Sequence, residues 1–146
     1  MTVERLRPYS VNVFAAMSAL AAEVGAVNLG QGFPDEDGPP AMLEAARHAI
    51  SDGVNQYPPG PGIAPLRQAI AAQRDRRYGQ RFNPDNEVLV TVGASEAIAA
   101  AVIGLVEPGS EVLLIEPFFD TYSPVIAMAG SHRVSASLVP DGHGLS

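Results

Sequence analysis

Apolar positions recur at helical spacing along the first half of the chain and give way to short, unbroken apolar runs in the second. Phe14, Met17, Ala21 and Val24 stand at i, i+3, i+7 and i+10, which predicts an amphipathic helix over residues 10–24 with Ser10 as its N-cap. Met42, Ala45, Ala46, Ala49 and Ile50 draw a second stripe, opened by Pro39 and Pro40 and stopped by Asp52-Gly53. A third helix is predicted from about Ala64 to Tyr78, burying Leu66, Ala69 and Ile70. Between these helices, Gly30-Gln31-Gly32-Phe33-Pro34 reads as a tight loop. Asn55 to Gly62, with three prolines, reads as a stiff loop carrying one aromatic, Tyr57.

From Glu87 the period changes. Glu87 to Val92 is mostly β-branched and ends at Gly93, so a strand is predicted there, followed by a helix over 95–106 with Ile98, Ala101, Val102 and Leu105 on one face. Pro108-Gly109 closes that helix. Glu111 to Ile115 is apolar on both faces, as in a strand covered on both sides by helices. A short helix near 122–129 precedes Val134, Ala136 and Leu138, which alternate with polar residues before Pro140-Asp141-Gly142 turns the chain. Strands alternating with helices define an α/β fold.

Composition narrows the function. The 146 residues are 47% apolar and 6% aromatic, as in a globular protein of about one domain. A net charge of −7 makes nucleic acid and anionic lipid poor partners, and no apolar run approaches the roughly 20 residues that a bilayer demands. The N-terminus lacks the pattern of a secretory signal, and Glu4 and Glu23 weigh against a mitochondrial presequence. The absence of cysteine excludes disulfides and thiolate chemistry and makes the cytoplasm the default compartment. All nine basic side chains are arginines, so the chain has no lysine with which to form a Schiff base.

The chemistry-bearing turn is Val92-Gly93-Ala94-Ser95-Glu96-Ala97. Small residues at a helix N-terminus leave N–H groups and the Ser95 hydroxyl open to an anion; alternatively, Ser95 merely caps the helix. The second strand ends at Glu116-Pro117-Phe118-Phe119, and ligands of open α/β sheets bind beyond the carboxyl ends of strands. If the two strands are parallel neighbours, Phe118 or Phe119 lies beside the phosphate cup; alternatively both fill the core, a role expected of one of them in either case. A phosphate cup beside an aromatic face suits a flat, phosphorylated aromatic cofactor.

The runs Val27-Asn28-Leu29-Gly30-Gln31-Gly32-Phe33-Pro34-Asp35, Asn55-Gln56-Tyr57, Gly62, Leu66-Arg67, Val90-Thr91-Val92-Gly93-Ala94-Ser95-Glu96-Ala97-Ile98 and Glu116-Pro117-Phe118-Phe119-Asp120 follow one another in order. Together they resemble the pyridoxal-phosphate-dependent class I aminotransferases, in the branch of the kynurenine and N-succinyldiaminopimelate aminotransferases. The resemblance implies an aspartate-aminotransferase-like fold, incomplete in this chain. Residues 1–50 would form the N-terminal arm and part of the small domain, and 51–146 the first half of the cofactor-binding domain.

It further implies that Gly93, Ala94 and Ser95 hold the phosphate of pyridoxal 5′-phosphate and that Phe119 stacks on the pyridine ring. Tyr57 would reach the cofactor phosphate of a neighbouring subunit in a homodimer, and Gly32 would offer a backbone N–H to the substrate carboxylate. Substrates would be an amino acid and a 2-oxo acid. The family's aldimine lysine, its pyridine-pairing aspartate and its carboxylate-binding arginine would all come later than residue 146. The chain as given is therefore expected to be inert. A carbon–sulfur β-lyase built on the same cofactor, or a non-catalytic truncated product, would share the same motifs.

Other clusters read as structural. Asp35, Glu36 and Asp37 precede a proline-led helix, where turn and cap chemistry explains them without a metal. Arg67, Arg74, Arg77 and Arg81 draw a basic stripe expected to be a solvated helix face. His48, His132 and His143 show no ligand spacing.

Overall fold

The computed structural model describes residues 2–32 and 34–139, and the chain divides into two compact units, Met1–Gly32 with Val92–Ser146 and Phe33–Thr91. The turn expected at Pro140-Asp141-Gly142 lies outside the described residues.

In the first unit a 3-10 turn over Glu4–Tyr9 precedes helix α1, Val13–Val24. The N-cap is Asn12 rather than Ser10: the Ala15 N–H donates to Asn12 Oδ1 at 3.0 Å. Serine and asparagine are equally good caps, but the Pro8-containing 3-10 turn occupies the chain up to Tyr9 and moves the helix start onward. No residue of α1 is buried.

The same unit resumes with α4, Gly93–Leu105, strand β1, Glu111–Glu116, α5, Tyr122–Met128, and strand β2, His132–Ser137. (Helices α2 and α3, which intervene in sequence, are Pro40–Ser51 and Ala64–Tyr78 of the second unit.) β1 and β2 pair in parallel, from Glu111 opposite His132 to Glu116 opposite Ser137, with α5 as the crossover. Ser123, Val125 and Ile126 of α5 are buried. Ile98, Ala101 and Val102 of α4 share an apolar cleft with Val112 and Leu114 of β1 and with Tyr122 and Ile126 of α5. That arrangement covers one face of β1. Leu113 and Ile115, on the other face, remain 64% and 58% exposed, so the expected cover on both sides is present on one only.

The strand predicted over 87–92 does not form. The sheet of the described residues has two strands, β1 and β2, and the Val90 N–H donates instead to the Pro61 carbonyl at 3.0 Å. β-branched residues favour an extended backbone, but a strand exists only through its ladder, and this run has none among the described residues. β1 accordingly has β2 as its parallel neighbour, not the 87–92 run.

In the second unit α2 starts with Pro40 at its first position, where the missing N–H costs nothing, and α3 buries Ala71. Of the face expected to be buried, Leu66 and Ala69 are exposed and Ile70 is half-buried. Arg67 does not belong to a solvated stripe. Its Nη1 donates to the carbonyls of Pro84 at 2.8 Å and Asp85 at 3.3 Å, and its Nη2 lies 3.8 Å from the Asp85 carboxylate, with the side chain 14% exposed. The other arginines stay local: Arg74 lies over the Tyr78 ring and Arg81 pairs with Asp75.

Candidate functional site

The helix N-terminus comes first. α4 begins at Gly93 with Val92 as N-cap, and no side chain caps it. Ser95 therefore lies inside the first turn and is not the N-cap. Gly93 sits at φ +77°, a conformation that side chains rarely adopt, and nothing lies within 4 Å of where its Cβ would stand. The Glu96 carboxylate, four residues on, folds back to accept the Val92 N–H.

The chain beyond β1 carries the aromatic face. Glu116-Pro117 is a cis peptide. Phe118 is half-buried, with the Arg133 guanidinium 5.3 Å from its ring centre, whereas Phe119 is 41% exposed. Of the pair, Phe119 is the one with a face to offer. Its ring is fixed on two sides, by Tyr122 of α5 in a T-shaped contact at 5.9 Å and by Phe14 of α1 at 6.4 Å. One residue on, Asp120 Oδ2 accepts a hydrogen bond from Asn12 Nδ2 at 3.1 Å.

The loop that ends in Gly32 is also held by α1. Asn28 Nδ2 donates to the Ser18 hydroxyl at 2.9 Å, Asn28 Oδ1 accepts the Gly30 N–H at 3.0 Å, and Met17 lies against Gly30. Gly32 itself is exposed with open space beside it.

Tyr57 belongs to the second unit, in the proline-rich loop, and is fully exposed. The loop is braced by Gly62, whose N–H donates to Pro59 O at 2.8 Å. Sequence reasoning found the candidate residues but missed Asn12, Phe14 and Tyr122 as their supports. The available signal was an asparagine just before an apolar helical stripe.

Glu116, at the end of β1, is held below the ordinary glutamate pKa chiefly by the Ser135 hydroxyl, then by Ser137, which donates to it at 3.1 Å, and by the Arg133 charge. Among the described residues no three metal-ligating side chains gather, and no helix is long and apolar enough to cross a membrane.

A parallel βαβ unit preceded by a helix makes this an α/β fold, and its likeness to solved structures makes it the aspartate-aminotransferase-like one. The structure superposes on Thermus thermophilus aspartate aminotransferase with a TM-score of 0.82 at 30% identity, over 97% of this chain and 38% of that one. Residues 24–144 match the family described as aminotransferase class I and II, and the chain belongs to that family.

A Mycobacterium tuberculosis protein described as a probable N-succinyldiaminopimelate aminotransferase, DapC, is 75% identical over all of this chain and 37% of its own length. The solved structure of N-succinyldiaminopimelate aminotransferase from that organism gives a TM-score of 0.95 at 74% identity, over 100% of this chain and 38% of that one. Methionine aminotransferase of Escherichia coli is 44% identical over 93% of this chain and 35% of its own length. The chain spans little more than a third of the length of the relatives it matches.

Proposed function

We propose that these residues form the phosphate- and ring-binding part of a pyridoxal 5′-phosphate-dependent aminotransferase, which moves an amino group from an amino acid to a 2-oxo acid. The observation that carries this reading is the placement of Ser95 in the first turn of α4, a helix whose N-cap residue, Val92, offers no capping side chain. The N–H groups of that turn and the positive end of the helix dipole suit a dianionic phosphate. The exposed face of Phe119 fits a flat heterocycle.

In this reading Ala94 and Ser95 donate to the phosphate, Phe119 covers the ring and keeps water from it, and the Gly32 N–H orients the substrate carboxylate. Tyr57 reaches the phosphate in a second copy of the chain, making the enzyme a homodimer. When bound, the cofactor supplies the electron sink for amino-group exchange. With no lysine, the chain by itself supplies neither a side-chain amine to anchor the cofactor nor an amine base for the proton transfer of amino-group exchange. We assign residues 1–50 to the arm and part of the small domain, 51–146 to the first half of the large domain, and the protein to the cytoplasm. The similarity to the M. tuberculosis relative supports an N-succinylated diamino acid as amino donor.

Titration with pyridoxamine 5′-phosphate tests the site. Saturable binding is expected, weakened about tenfold in Ser95→Ala, the loss of one hydrogen bond to a charged group. Equal binding of pyridoxamine without its phosphate refutes the reading. For the activity, joining residues 1–146 to the remaining part of the M. tuberculosis relative should yield a new amino acid and a 2-oxo acid. Pyruvate and ammonia would mark a carbon–sulfur β-lyase.

A further inference from the structure

We propose that Asn12 is a positioning residue: its side-chain amide, acting through Asp120, sets the placement of the Phe119 ring over the cofactor. This rests on the reading of Phe119 given above.

Asn12 uses both ends of its amide. Oδ1 accepts the Ala15 N–H at 3.0 Å and fixes the direction of α1, while Nδ2 donates to Asp120 Oδ2 at 3.1 Å, across 108 positions of sequence. One planar group thereby couples a helix axis to the loop that carries Phe119. The coupling matters because α1 has no buried residue and so lacks an apolar seat of its own. Its ties to the rest of the unit cluster at two places. At its N-terminal end, Asn12 and Phe14 meet Asp120 and Phe119; along its body, Ser18 and Met17 hold the Asn28-Gly30 segment that leads to Gly32. The helix is thus a strut between the ring cover and the loop assigned to the substrate carboxylate. Asn12 locks one end of it.

The partners differ in what they need. The cap needs only an acceptor at position 12, whereas the tie to Asp120 needs a donor. Asn12→Asp keeps the acceptor and sets two carboxylates face to face. Asp120→Ala removes the tie and leaves the cap intact. Asp120→Asn keeps an acceptor for Nδ2.

The test uses the holoenzyme formed by residues 1–146 joined to the remaining part of the M. tuberculosis relative and loaded with pyridoxal 5′-phosphate. The readouts are the visible circular dichroism of the bound ring, which reports its orientation, the rate of cofactor release, and amide exchange over residues 117–121. Asn12→Asp and Asp120→Ala are expected to shrink the dichroic band, speed release about tenfold and raise exchange, with Asp120→Asn close to wild type. Variants with wild-type dichroism and release overturn the inference while leaving the site intact, whether or not exchange rises. A wild-type protein that binds cofactor with no ring band overturns the reading of Phe119, and the inference with it.

Discussion

Gly62 and Val90 approach so closely that a Cβ on Gly62 would stand 2.5 Å from Val90 Cγ2, and Gly62 also sits at φ +95°. Both features demand glycine. Gly62→Ala is expected to cost roughly 1–3 kcal/mol of local stability and to free the segment bearing Tyr57. Limited proteolysis between residues 55 and 62 and loss of protection at the Val90 amide would report it. Unchanged cleavage would show that the contact relaxes without cost.

Arg67 holds the 84–85 turn with two forked bonds to carbonyls. Arg67→Ala should lose about 1.5–3 kcal/mol. Arg67→Lys should recover only part, because one ammonium can meet the two carbonyls held by Nη1 but cannot at the same time reach the Asp85 carboxylate as Nη2 does. Amide exchange over residues 83–87 checks the pair, and a lysine variant that matches wild type would contradict the fork.

Glu116 makes the acid limb of stability predictable. Its folded pKa lies below the ordinary glutamate value, so its contribution is present above that ordinary value and disappears as pH falls through the folded one. Protection of the β1–β2 amides, corrected for intrinsic exchange, should therefore be higher in wild type than in Glu116→Gln near neutrality. The two should converge in acid. A gap independent of pH would refute the assignment.

The chain alone should melt broadly. Among the described residues the buried apolar side chains are Ala71, Val125 and Ile126, while Leu113, Ile115, Leu105 and Val92 are exposed. So small a core does not sustain a cooperative transition. Ile126→Ala, which costs about 2–5 kcal/mol in an ordinary core, should abolish what structure remains. Calorimetry with dye binding decides; a sharp, two-state melt of a monomer would overturn this expectation.

Local punctuation made much of the fold legible. Pro40 and Pro65 start α2 and α3, Gly79 stops α3, and the predicted bounds of α3 coincide with the observed ones because every signal lies within a few residues. The run 87–92 misleads because strand formation is a relation to a partner, which no local window contains. The small-residue turn at Gly93 was legible as a motif, and Phe119 was chosen over Phe118 through the family resemblance, since the residues alone left the two equivalent; in the structure their exposure sets them apart. The Asn12 to Asp120 bond was invisible in the sequence, since nothing local couples residues so far apart.

The first unit is discontinuous: the chain leaves it at Gly32 and returns at Val92. At a synthesis rate of about 5–20 residues per second, Asp120 follows Asn12 from the ribosome by roughly 5–20 s. For that interval α1 has no anchor at its leading end, so its docking there waits on the synthesis of β1 and the loop beyond it.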